Sequence, residues 1–155
     1  FKALATVNTD NTGGYSFTQT PIHNTVYQVR TGSGATAVHT ADLYVGVQDM
    51  VTLNASATSV SVGDAVTLSG TVTPDHTGHV FYVQRLNANG NWVDVESGYL
   101  TSGSRYSLSY WFGQPGPIQL RVQVPGGPWD VGGVSTAVSI TGTSAAPAST
   151  LPPAS

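Results

Sequence analysis

The sequence contains no cysteine. Disulfide frameworks, thiolate metal sites, cysteine nucleophiles and iron–sulfur clusters are therefore excluded. Charge is nearly as scarce: 8% of residues are charged, against about a quarter in ordinary domains. Lys2 is the only lysine, Glu96 is the only glutamate, and the net charge is −3. The few basic residues are scattered and form no phosphate-neutralising patch, which argues against nucleic acid as a partner. No apolar run approaches the roughly 20 residues of a membrane-spanning helix, so no membrane span is expected. One glutamate is poor material for the paired carboxylates of glycoside hydrolysis. The isolated aspartates, from Asp10 to Asp130, lack the dense spacing of a calcium loop. There is no G-x-S-x-G elbow. Neither catalysis nor a cofactor is expected.

Small neutral and β-branched residues fill the space that charge vacates. The 155 residues include 20 Thr, 20 Val, 16 Ser and 18 Gly, enough chain for one large domain or two small ones. Threonine and valine are stiff at χ1 and suit a pleated strand. With 39% hydrophobic residues that alternate, the chain is not expected to be disordered. The alternation predicts strands over Val51–Thr58, Ala65–Thr73, His79–Leu86, Trp92–Tyr99, Ser104–Phe112, Pro117–Val124 and Gly133–Thr141. Asn89-Gly90 marks a tight hairpin, because both residues tolerate positive φ. Short strands at this spacing predict an all-β, immunoglobulin-like antiparallel sandwich.

An internal repeat extends the pattern upstream. Phe1-Lys2-Ala3-Leu4 matches Trp92-Val93-Asp94-Val95, and Tyr15-Ser16-Phe17 matches Tyr106-Ser107-Leu108. Tyr27-Gln28-Val29-Arg30 matches Leu120-Arg121-Val122-Gln123, and Val38-His39-Thr40-Ala41 matches Val134-Ser135-Thr136-Ala137. Residues 1–49 thus read as the C-terminal half of one module, and residues 50–142 as a complete one. Residues 143–155, rich in Pro, Ala and Ser, read as a linker or tail. Half a sandwich leaves unpaired edges and an apolar face. A cleaved fragment, a partner chain or the neighbouring domain is expected to cover it. Phe1-Lys2-Ala3 lies within a strand-like pattern, so the chain is expected to be a mature or trimmed piece, with any targeting segment removed or upstream.

The run Val62-Gly63-Asp64-Ala65-Val66-Thr67-Leu68-Ser69-Gly70-Thr71-Val72-Thr73-Pro74 resembles the tandem bacterial Ig-like repeats of secreted actinobacterial proteins. So do Thr77-Gly78, Val83-Gln84-Arg85-Leu86 and Gly90-Asn91-Trp92. Gly14-Tyr15-Ser16-Phe17 and Tyr27-Gln28-Val29-Arg30 are similar to the later half of that family. The resemblance spans about residues 1–142. It implies a non-catalytic module, often in tandem, in secreted or surface proteins, where some copies flank hydrolases. It carries no shared catalytic residue. Leu120 stands where the earlier copy has Tyr27, so a tyrosine-corner hydrogen bond is expected only in the earlier copy.

Two constellations remain. His76 and His79, with Asp75, have spacing that a metal could use; a solvated polar turn is the preferred reading. The aromatics Tyr110, Trp111, Trp129 and Tyr82 are the candidate ligand-binding residues, with polysaccharide as the ligand class. In Tyr110-Trp111-Phe112, consecutive side chains point to opposite faces, so at least one is expected to face solvent or a loop. Trp92 and Tyr106 are expected in the core. The functional expectation is a spacer or adhesive module of a secreted or cell-surface bacterial protein. The alternatives are a carbohydrate-binding or accessory domain of a secreted hydrolase, and a strand-complementing assembly unit.

Overall fold

The computed structural model describes residues 1–144. Of the linker expected over residues 143–155, residues 145–155 lie outside them, and Thr143 instead ends a strand. Among the described residues the chain divides into two compact units. The first is Phe1–Gln48 with Gly127–Val131, and the second is Asp49–Gly126 with Gly132 onward.

The second unit is a two-sheet, immunoglobulin-like β-sandwich. Its smaller sheet is built on β8 (Ala65–Thr73), flanked by β11 (Arg105–Trp111) on one edge. On the other edge lie β5 (Met50–Val51) and β6 (Asn54–Ala55). The larger sheet runs β10 (Trp92–Tyr99), β9 (Val80–Leu86), β12 (Gly116–Pro125), β14 (Val138–Thr143) and β7 (Ser59–Ser61). The short β13 (Gly132–Val134) also pairs with β12. Alternation places Val66, Leu68, Phe81, Val83, Tyr106, Leu120, Val122 and Ile140 inward, all at most 3% exposed. The β9–β10 hairpin closes with Gly90 alone at positive φ; Asn89, expected to share that conformation, does not adopt it. The Asn87 side chain accepts the amides of Asn89 and Asn91, and Gly90 takes φ 78°.

Two expected strands are broken in the structure, each for a local reason. Val51–Thr58 is not continuous. Ser56 N–H donates to Thr67 of the smaller sheet, and two residues on, Thr58 C=O accepts from Thr141 of the larger one. The strand changes sheets there, and β7 pairs with β14 in parallel, the one parallel pair among the described strands. Gly133–Thr141 breaks at Ser135. Its hydroxyl takes the Val122 amide at 2.9 Å, while its own amide bonds Val122 C=O. A side chain replaces the main chain in the ladder, and the strand bends.

The first unit repeats the back of the second, pair for pair. Its strands are β1 (Thr25–Tyr27), β2 (Arg30–Thr31), β3 (Val38–His39) and β4 (Leu43–Val45). The pairs Thr25–Val45, Val26–Tyr44 and Tyr27–Leu43 correspond to Ile118–Ile140, Gln119–Ser139 and Leu120–Val138. Arg30–His39 and Thr31–Val38 correspond to Gln123–Val134 and Val124–Gly133. Even the hydroxyl-made break recurs: Val29 N–H donates to the Thr40 hydroxyl, and Thr40 N–H to Val29 C=O. Thr40 therefore stands on Ser135 and His39 on Val134. This corrects the sequence match of Val38 to Val134 by one residue.

Candidate functional site

A polar cluster lies at the turn that leads into β9. His76 is buried, and its Nε2 pairs with Asp49 Oδ1 at 2.6 Å, also buried. This corrects the reading of both histidines as solvated: only His79 is exposed. The two rings sit 4.8 Å apart. Ser104, itself buried, accepts the His76 main-chain amide and donates its hydroxyl to Asp75. Thr77 adds its amide and hydroxyl to the same carboxylate, at 2.9 and 2.7 Å. The Ser104 hydroxyl, then those of Thr77, pull the Asp75 carboxyl down to about 2.

Serine, histidine and aspartate thus meet in one place, wired for structure. A nucleophilic serine needs an imidazole to take its proton. Ser104 instead donates its hydroxyl in a hydrogen bond to the Asp75 carboxylate, and it bonds His76 at the main-chain amide. The hydrogen bonds from Ser104 and Thr77 all fall on one Asp75 oxygen, Oδ1.

The aromatic candidates separate. Tyr110 is buried and packs edge-on against Phe112 at 5.5 Å. That removes it as a ligand-binding residue, because its inward strand position commits it to the core. Trp111 faces out and is 68% exposed on β11. Tyr82 is half-buried on β9, in the other sheet, beside a shallow hollow of about 310 Å³ with Asp94 and Glu96. Trp129, 64% exposed, belongs to the first unit. Its carbonyl accepts the Asn24 amide, and its ring stands edge-on to His23 at 6.1 Å. Nothing brings Tyr82, Tyr110 and Trp111 onto one surface. Trp92, expected in the core, lies half-buried under the Arg121 guanidinium, 4.3 Å above its ring. Arg121 also bonds Gln84, which bonds Asp94 and Gln123. The tyrosine hydroxyl that anchors a distant backbone is Tyr106, donating to Thr52 C=O in the complete unit. The expectation confined such a bond to the earlier copy.

One concavity lies within the first unit. It is a groove of about 680 Å³, lined by Phe1, Leu4, Tyr15, Phe17, Tyr27 and Val38 among others. No residue from Phe1 to Gln48 is buried. Leu120, Val122 and Ile140 are fully buried in the second unit, whereas their counterparts Tyr27, Val29 and Val45 are only half-buried. Tyr15 and Phe17 are 45% and 40% exposed. Residue types and register repeat, but the core does not close. Sequence reasoning anticipated the open face from the repeat. It could not anticipate the Asp49–His76 pair, because no local pattern links those two positions.

No family model matches the sequence, and no curated protein matches it.

Proposed function

We propose that the chain is a non-catalytic, load-bearing spacer of tandem Ig-like modules in a secreted or cell-surface bacterial protein. The parallel pairing of β7 with β14 carries this reading. β7, which continues the entering segment after β5 and β6, and the leaving strand β14 run side by side in one direction, through Ser59–Thr141, Val60–Gly142 and Ser61–Thr143. Tension on the two ends loads the flanking hydrogen bonds together, in shear. An antiparallel pair would unzip them one at a time. Val62 N–H to Thr143 C=O at 2.8 Å and Thr141 N–H to Thr58 C=O at 2.9 Å close the two ends of the pair. The low surface charge supports the same role, since little of the surface depends on salt-screened pairs.

Single-molecule pulling on the ends of the chain tests the reading. The complete unit is expected to open in one step, releasing roughly 30 nm of chain. Val62→Pro removes one clamp donor and should lower the unfolding force markedly. Gradual low-force extension, or a force indifferent to Val62→Pro, would reject the spacer role.

A second reading, polysaccharide binding, is favoured by the exposure of Trp111 and Trp129, because exposed indoles stack on sugar faces. Titration with soluble glycans should then quench tryptophan emission, and Trp111→Ala should abolish part of the quenching. A flat response across a broad panel would eliminate it.

A further inference from the structure

The first unit has ladders only where its counterpart strands find partners within the back half of a module. In the complete unit, β12 with β13 and β14 is such a group, and its equivalent forms fully. By contrast β11 pairs with β8, and β10 pairs with β9. Their equivalents, around Tyr15–Phe17 and Phe1–Leu4, carry no strand at all. β12 uses a second edge, where Leu120–Gln123 pairs with Tyr82–Arg85. β1, within a two-stranded sheet, leaves the matching edge open. The unmade pairs in the first unit are those that β8 and β9 make in the second.

We propose that the groove of the first unit is a docking site for the front half of an Ig-like module, a segment patterned like residues 50–86. The docked segment places a β8-like strand against Tyr15–Phe17. It places a β9-like strand between Phe1–Leu4 and Tyr27–Arg30. Its inward apolar residues take the places that Leu68, Phe81 and Val83 fill in the complete unit. The register is given residue by residue: Tyr15, Ser16 and Phe17 meet the counterparts of Gly70, Ser69 and Leu68. A second copy of the same half carries no β8-like or β9-like strand to supply this register, and it is the competing occupant that the test separates. The inference rests on strand register, and it stands whether or not the modules act as spacers.

The test joins an extra copy of residues 50–91 directly ahead of Phe1, which occupies the position of Trp92. Hydrogen exchange and sedimentation are then measured on this fusion and on the unextended chain. The fusion is expected to be monomeric, and the amides of Tyr15–Phe17 and Tyr27–Arg30 should exchange about a hundredfold slower or more. A further fusion carrying Leu68→Asp in the added copy should lose that protection. Protection in both fusions, or in neither while β9 and β12 of the complete unit stay protected, overturns the proposal. An unextended chain that sediments as a dimer with these amides already protected also overturns it, in favour of a second copy. The pulling experiment reads β7 and β14 only, so failure here leaves the spacer reading to its own test.

Discussion

Gly70 shows how one residue sets the packing of the complete unit. A Cβ there would collide with the Thr52 carbonyl oxygen and with the Tyr106 hydroxyl. The missing side chain is what lets that hydroxyl reach the carbonyl. Gly70→Ala is expected to lower stability by about 1–3 kcal/mol through overpacking, and Tyr106→Phe by about 1 kcal/mol through the lost hydrogen bond. Urea melts of the two variants check both figures. Asp75 sets an acid limit. Its carboxyl is drawn from the ordinary 3.8 to about 2 by Ser104 and Thr77. A depressed carboxyl contributes stability that is present above pH 4 and lost as pH falls through 2. Asp75→Asn should flatten the pH dependence in that window, as read by urea midpoints at pH 5, 3 and 2. Unchanged dependence would refute the assignment. His76→Ala should be costly, because it strips a partner from a buried carboxylate. None of these roles was legible in the sequence. Asp49 and His76 come together only through the fold, and Gly70 within an alternating strand looks like any small residue.

At the scale of elements, legibility was higher, and the failures have a common cause. β8 and β10 have the bounds that alternation predicts: β8 pairs with β11 without interruption, and β10, although a bulge between Asp94 and Glu96 shifts its register, resumes its ladder with β9 on the far side. The first and last strands failed where a hydroxyl or a sheet change interrupts the ladder, at Ser56–Thr58 and at Ser135. Alternation continues through such breaks and hides them. Trp92 misled for a related reason. An aromatic in an alternating run reads as core, yet it sits on the outer face under Arg121, whose guanidinium also holds Gln84. This cross-strand chain ties β10, β9 and β12 together. Arg121→Met should shift Trp92 emission to the red and lower stability by about 0.5–1.5 kcal/mol. An unshifted spectrum would remove the stacking from the account.

For the whole molecule, composition and repeat together carried the all-β reading. Cysteine is absent, charge is scarce and β-branched residues alternate, so a sandwich core is the main source of stability left. The candidate site divides along the same line. The open groove follows from the repeat, whereas Tyr110 was lost to the core because alternation alone does not say which face of β11 points inward. Two copies of one hairpin, in one register, differ in whether a front half closes over them. Native-state hydrogen exchange on the unextended chain tests it most directly. The amides of Leu120, Val122 and Ile140 should exchange only through global unfolding of the complete unit. Those of Tyr27, Val29 and Val45, their counterparts, should exchange faster by orders of magnitude, and residues 1–22 faster still. Matched protection in the two copies would contradict the account, because it would mean that the first unit is already closed.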